Sequence, residues 1–411
     1  MKSAMIDAFS DEVRAVEVRD VAAPTPGPGQ VRVRMRMAPV NPSDFNYIDG
    51  IYERSFARMI WNLGAERPSN EPGSDVFPRP PYSLGVEGVG IVEESGGGLL
   101  GRRLVGKRVA VVSGPPNGTW QEETLIDARR AFPVPRSLSD AQACSFFVNP
   151  LTALVLVRHV LQVPRGAVLL QTAAGSALSQ MVRNLAHADG FRVIDVVRSR
   201  AGADRLNQGK SKYEPGKEQI KSKYVVALED EDLLEAVHRI APDGVDYVLD
   251  CVGGATGSEV LRTLRPGGCM VCYGTLSREP ISLPPRDIIM PMTSIEGFYL
   301  AAYLANRTLF QRLGLVRKTA KLIESDVLGT SVEQTYRLDK LHAALEHAPT
   351  REDWEDPPRP DLTLFALDVF LAAPGLHRGQ PAFVQQLFER VLNLLREDHG
   401  GCLECDWFER I

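Results

Sequence analysis

Val31-Arg-Val-Arg-Met-Arg-Met37 alternates apolar and basic positions, which predicts a strand with one buried face. Gly88–Val92 and Lys107–Val112 read as further strands, and Gly and Pro punctuate the chain up to about residue 150. From about 151 the pattern changes. An apolar strand, Gly166–Gln171, leads through small residues to helical spacing over Met181–Ala188 and then to a strand over Phe191–Val197. That is a β-turn-α-β unit of the length a dinucleotide domain needs. Tyr224–Ala227, Val245–Cys251 and Cys269–Tyr273 continue as strands, alternating with helices over Asp232–Ile240 and Thr256–Leu264. The pattern predicts an α/β protein: a strand-rich domain over 1–150 and a doubly wound parallel sheet over 151–304.

Three segments fall outside this scheme. Residues 201–223 are rich in lysine and predict a solvated surface loop. Residues 54–81 hold Trp61 and several prolines directly after Tyr52, which predicts a lid, a pocket wall or a plain surface excursion. Residues 351–360 are charged and proline-rich, and Phe383, Leu387, Val391 and Leu394 share one helical face. The stretch 351–411 therefore predicts a linker and a helical C-terminal extension.

Composition narrows the function classes. The 411 residues are 44% hydrophobic and 24% charged, ordinary values for a globular protein. A net charge of -5 argues against nucleic acid or an anionic membrane as partner. No apolar run is long enough to span a bilayer, and the first residues read as a strand rather than a signal peptide. Six cysteines are too few for a disulfide scaffold and predict a reducing, cytoplasmic setting. Cys269 and Cys272 form a C-x-x-C on a strand, whose period places them on opposite faces. Cys402 and Cys405, near His399, lack a second cysteine pair, so an ordinary terminal segment is favoured over a metal or redox site.

The chemistry concentrates after the first long strand. In Asn41-Pro-Ser-Asp-Phe-Asn-Tyr-Ile-Asp-Gly-Ile-Tyr52, Pro42 and Gly50 break the alternation and predict a loop carrying a phenol close to a strand end. Thr172-Ala-Ala-Gly-Ser-Ala-Leu-Ser179 is a turn of small residues between a strand and a helix, where a pyrophosphate can approach the backbone. The next strand ends in Val197-Arg-Ser-Arg200 rather than an acidic residue. Guanidinium groups there favour the 2′-phosphate of NADPH over the free ribose of NADH. Asp195 lies too far inside the strand to be a good ribose ligand.

These segments resemble the zinc-independent branch of the medium-chain dehydrogenase/reductase superfamily, and among its members the mitochondrial-type 2-enoyl thioester reductases. The resemblance covers roughly residues 1–345. It implies a GroES-like catalytic domain, completed by about 305–350, and a Rossmann NADPH domain. Tyr52 falls on the proton donor of those reductases, with Asn46 or Ser43 able to orient the pocket. Thr172, Ala174, Gly175, Ser176, Ala177 and Leu178 fall on the dinucleotide turn, although Ala177 and Ser179 stand where relatives carry glycine. Arg198, Ser199 and Arg200 fall at the 2′-phosphate. Asn149 and Thr152 match residues near the nicotinamide ribose, Cys251 and Gly253 a strand end beside the cofactor, and Tyr273, Gly274, Phe298 and Tyr299 the nicotinamide surroundings. Zinc relatives have a histidine in the segment that reads Gly85-Val-Glu-Gly88 here, and no cysteine precedes Cys144, so no catalytic metal is expected.

The expected function is NADPH-dependent reduction of an activated carbon–carbon double bond, foremost in a 2-enoyl thioester. A quinone or enone reductase of the same superfamily and a non-catalytic nucleotide-binding interaction protein are the alternatives. The resemblance also implies a homodimer.

Overall fold

A computed structural model describes residues 1–59, 78–209, 220–329, 332–348 and 364–368. The first domain contains β1 (Lys2–Ile6), β2 (Glu17–Asp20), β3 (Gln30–Val40), β4 (Tyr82–Ser83), β5 (Glu87–Ser95), β6 (Arg108–Val112), β7 (Glu123–Asp127) and β8 (Ala131–Pro133). β3 is the spine. It pairs antiparallel with both β5 and β7, burying Val31, Val33 and Met35 on one face. Arg32, Arg34 and Arg36 on the other face meet Glu94 and Glu123, Glu93, and Asp140 respectively. The strict alternation thus separates a dry face from an ion-paired one.

The second domain holds β9 (Val168–Gln171), β10 (Arg192–Val197), β11 (Val225–Ala227), β12 (Val245–Asp250), β13 (Leu264–Cys272) and β14 (Ser294–Gly297). All pair in parallel, in the order β11-β10-β9-β12-β13-β14. This is a doubly wound sheet whose direction of growth reverses between β9 and β12, and ligands bind at the carboxyl ends of the strands beside such a reversal. The run from Asp140 to Val160, helical apart from a short break after Cys144, passes between the domains. Its buried Phe147, Leu151 and Leu154 join Val89 and Ala110 of the first domain to Leu169 and Leu249 of the second in one core. Cys269 packs in that core and Cys272 in the core on the other side of the sheet, the opposite faces expected of them.

The chain then returns to the first sheet through β15 (Val332–Arg337) and β16 (Leu364–Asp368). Here the structure departs from the linker-and-helix expectation for 351–411. Leu364–Asp368 pairs antiparallel with β3 and parallel with β15. The expected helix around 383–394 and the Cys402–Cys405 pair lie outside the described residues, as do 60–77 of the segment expected to form a lid. The start of the stretch 201–223 also departs from the loop expected of it, because Arg200–Gln208 is helical, whereas Lys221 and Lys223 lie in irregular structure. Ser199 caps its start by accepting from Gly202 N, and Gly209, at φ 61°, ends it. Residues 210–219 lie outside the described residues.

Candidate active site

The segment after β3 is two short helices rather than the expected loop. Pro42–Ile48 (α1) and Ile51–Ala57 (α2) meet at Gly50. Pro42 sits at the first helical position, where its missing N–H costs nothing. Asp44 reaches back to accept from Asn41 N at 2.7 Å, closing the start of α1. Gly50 has φ 72°, and a Cβ there would stand 2.5 Å from the Phe9 ring, so only glycine makes this corner. Asp49 Oδ1 accepts from Ile51 N at 2.9 Å and starts α2. Tyr52 follows in its first turn.

Tyr52 is hydrogen-bonded to Asn46 across this corner. Its ring lies 4.9 Å from Tyr47, edge to face, and 6.4 Å from Tyr299 of the second domain. Burial raises the Tyr52 pKa, the Asn46 bond opposes the rise, and Tyr299 and Asp44 add to it. The phenol is therefore protonated at neutral pH, the form a proton donor needs. Burial likewise raises Tyr47, which bonds Tyr299.

Beneath the helices lies a buried polar bridge. Glu87 is fully buried and accepts from Phe147 N at 2.8 Å, Val148 N at 3.0 Å and Asn41 Nδ2 at 3.1 Å. Burial outweighs these donors and pushes its carboxyl up to about 7. Asn149 Nδ2 reaches Asn41 Oδ1 at 3.5 Å, tying the interdomain segment to the start of α1.

The cofactor side is built at the reversal of strand order. Thr172 Oγ1 donates to Asp250 Oδ1 at 2.7 Å and accepts from Cys251 N at 3.1 Å. Asp250 also accepts from Val252 N and Gly253 N. Ala174 is buried and donates its N–H to Val196 O, and Gly175 follows. Ser176 caps the helix Ala177–Asp189 by accepting from Ser179 N. Ser179, standing where a glycine was expected, accepts from Ser176 Oγ–H and donates its own hydroxyl to the carbonyl of Ala173, so that position of the turn is filled without glycine. Asp195 points into the sheet. It pairs with buried Arg183 at 3.1 Å and accepts from Gln171 Nε2 at 2.6 Å.

At the end of β10, Arg198 is exposed and Ser199 caps the next helix. Arg200 pairs with Asp230 at 3.0 Å and donates its backbone N–H to Glu229. Arg200 is thus held by carboxylates.

A cavity of about 320 Å³ opens between the two domains. It gathers Asn46 and Tyr52 from the helical corner, Asn149 and Thr152 from the connecting segment, Ser176 and Leu178 from the turn, and Cys251, Tyr273, Gly274, Phe298 and Tyr299 from the strand ends. Thr172, Ala174, Gly175, Ala177, Gly253 and residues 198–200 do not line it. They form the adjoining turns and the end of β10. Ser43 also faces the cavity, and its buried Oγ has no hydrogen-bond partner among the described residues. Sequence reasoning missed Tyr47 and Arg278 in the lining. Tyr47 could have been found from its place in the same Asn41–Tyr52 segment as Tyr52, against whose ring it packs, whereas nothing local marks Arg278. Among the described residues no group of three His, Cys, Asp or Glu side chains could hold a metal ion, and no helix is long and apolar enough to cross a membrane.

Residues 27–136 match the family model of the alcohol dehydrogenase GroES-like domain and residues 177–314 that of zinc-binding dehydrogenases. With the parallel sheet and the interdomain cavity, these matches define a two-domain dehydrogenase/reductase, and the chain belongs to the medium-chain dehydrogenase/reductase superfamily. Within it, the chain is similar to the mitochondrial enoyl-[acyl-carrier-protein] reductase of Schizosaccharomyces pombe, 30% identical over 278 residues that cover 65% of this chain and 68% of that protein. The enzyme of the same name from Bos taurus is 28% identical over 82% of each chain. Among solved structures, a candidate NADPH:quinone reductase from Bacillus thuringiensis is 27% identical and superposes with a TM-score of 0.73 over 90% of this chain and 99% of its own.

Proposed function

We propose that this protein is an NADPH-dependent reductase of an activated carbon–carbon double bond, foremost of a 2-enoyl thioester, with Tyr52 as proton donor. The observation that carries the reading is the cavity itself. A protonated, Asn46-bonded phenol stands on one wall, and the strand ends and helix start suited to a dinucleotide form the other. Two relatives named as enoyl-[acyl-carrier-protein] reductases support the thioester.

The residues fit NADPH. The turn 172–178 leads into a helix start, and Gly274 lies so close to Cys251 that a Cβ would meet its backbone at 2.9 Å, leaving the strand end flat beside the cavity. Arg198 is the residue assigned to the 2′-phosphate. Arg200, two residues on, is engaged by Asp230. Bound NADPH supplies a hydride to the β-carbon. Ser43, in the cavity lining, helps to orient the pocket around the thioester. Tyr52 gives its proton to the α-carbon, held in aim by Asn46. Val86, Val112, Phe147 and Leu304 contribute apolar surface to the cavity lining. No metal takes part in this scheme. Glu87, beside the position where zinc relatives have histidine, is already occupied by three N–H donors.

Tyr52→Phe tests the reading. With a short trans-2-enoyl-CoA as acceptor, turnover followed by loss of NADPH absorbance is expected to fall about 100-fold or more, while NADPH affinity stays within about threefold. Unchanged turnover would remove Tyr52 from the chemistry. A quinone or enone acceptor is the second reading, favoured by the aromatic wall of Tyr47, Tyr52 and Tyr299 and by the likeness to the Bacillus thuringiensis protein. Hydride transfer to a quinone needs no carbon protonation, so Tyr52→Phe would then retain its rate. Failure of the wild type to bind NADPH at all would leave the non-catalytic reading. We further propose a homodimer formed through the second domain, and a reducing compartment in which the four described cysteines remain the free thiols they are here.

A further inference from the structure

Arg278 reaches across the cleft to ion-pair with Asp49. The pair is well shielded, with side-chain exposures of 16% and 4%, and Arg278 lines the cavity. Each partner is held by a distinct local structure. Asp49 spends its other oxygen on Ile51 N, the first N–H of the helix that carries Tyr52. Arg278 sits in the left-handed region at φ 57°, in a loop fastened to the cofactor-side turn. Ser277 donates both N–H and Oγ–H to Val252 O, and Gly254 N donates to Glu279 O at 3.0 Å. A Cβ on Gly254 would meet Ser277 Oγ at 2.8 Å, so glycine is what allows this loop to lie so close. The same turn is organised by Asp250, which holds Thr172 at the start of the dinucleotide turn.

We infer that Asp49 and Arg278 form a strut that fixes Tyr52 relative to the cofactor side, making both of them positioning residues. The contacts run without a gap from Thr172 through Asp250, the 252–254 turn and the 275–279 loop to Arg278, Asp49, Ile51 and Tyr52. A charge-assisted pair shielded from water is stiff, and losing one partner leaves the other charge stranded. The strut matters because proton donor and hydride source sit on different domains, and a displacement of about 1 Å between reacting groups costs about 100-fold in rate.

The inference rests on the proposed reductase reading, so its test has one arm that needs no substrate. In that arm, hydrogen exchange is followed over residues 42–57 with and without saturating NADPH. In the wild type NADPH is expected to slow exchange there. In Arg278→Met, which keeps the side chain's length but not its charge, this response is expected to vanish while NADPH itself still binds. An undiminished response in Arg278→Met would overturn the strut. In the second arm, Arg278→Met is expected to lower kcat about tenfold or more with KM for NADPH changed less than about threefold, and Arg278→Lys to recover part of the rate. An unchanged kcat, or a fall matched by lost NADPH affinity, would overturn the positioning role. Tyr52→Phe is assayed alongside. If that variant keeps full rate while Arg278→Met loses the exchange response, the proton-donor reading fails and the strut stands. Asp49→Asn, which keeps an oxygen for Ile51 N, repeats both arms should Arg278→Met unfold.

Discussion

Single side chains at this site are set by where charge can and cannot exist. Glu87 has an ordinary carboxyl pKa of 4.5 when unfolded and is pushed up to about 7 in the fold by burial. Its sign is therefore that of a group raised by folding. Its protonated form is fully compatible with the core below about pH 4.5, and stability is lost as pH rises towards 7, by about 3 kcal/mol at most. Asp44, also raised by burial, acts in the same direction. Glu87→Gln is expected to flatten the Glu87 share of this slope, so that denaturant unfolding between pH 5 and about 8 changes less with pH than in the wild type. An unaltered slope would show that Glu87 does not titrate in that window. At the other end of the cofactor region, Arg198 is exposed, and charge-assisted bonds to phosphate are worth about 1.5–3 kcal/mol. Arg198→Ala is expected to weaken NADPH binding about 10- to 100-fold and leave NADH binding nearly unchanged in a fluorescence titration. Equal losses for both nucleotides would move the 2′-phosphate elsewhere. Neither Glu87 nor Asp44 stands out in the sequence as a buried carboxylate, because their donors come from residues three to 61 positions away.

Elements were legible where one period governs one face. The strands β3, β5, β9, β10 and β12 follow from alternation or from short apolar runs, and the structure keeps each within a few residues of its expected bounds. Legibility fails where a helix is too short to show a period. Pro42 and Gly50 are loop signals in general, but proline is tolerated at a first helical position and glycine can join two helices, so α1 and α2 hide behind them. The helix Arg200–Gln208 is hidden by its polarity, although Ser199 and Gly209 carry the capping signature that could have revealed it. The corner at Gly50 is where an element depends most on one residue. Gly50→Ala imposes a positive φ on a Cβ that would also press on Phe9. A loss of about 2 kcal/mol in denaturant unfolding is expected, together with a lower rate because the helix bearing Tyr52 must shift. Full stability in that variant would show that Phe9 and the corner yield freely.

At the scale of the molecule, what the sequence could not show is pairing over distance. Leu364–Asp368 is a strand only because β3 offers a partner edge, with Phe365 opposite Val40 more than 300 residues back in the chain, and no local pattern encodes that. Arg278 and Asp49 are 229 residues apart and meet only when the domains do. The same reasoning bears on assembly. β14 closes one end of the parallel sheet with every residue exposed, and among the described residues no strand pairs its outer edge. Beside it Ile289, Met290 and Met292 are 65%, 71% and 77% exposed, and Ile295 on the strand itself is 39% exposed. An unprotected edge next to an apolar patch is a template for pairing, and a second copy related by a twofold axis satisfies both at once. Light scattering on the purified protein is expected to give a dimer. Met292→Glu combined with Ile295→Lys is expected to give a folded monomer with unchanged circular dichroism, since neither side chain is needed by the monomer's core. The lining of the interdomain cavity does not include either residue, so NADPH binding in that monomer should persist. A dimer that survives the double change would place the contact on another face, and a wild-type monomer would leave this edge to be protected by some other part of the chain.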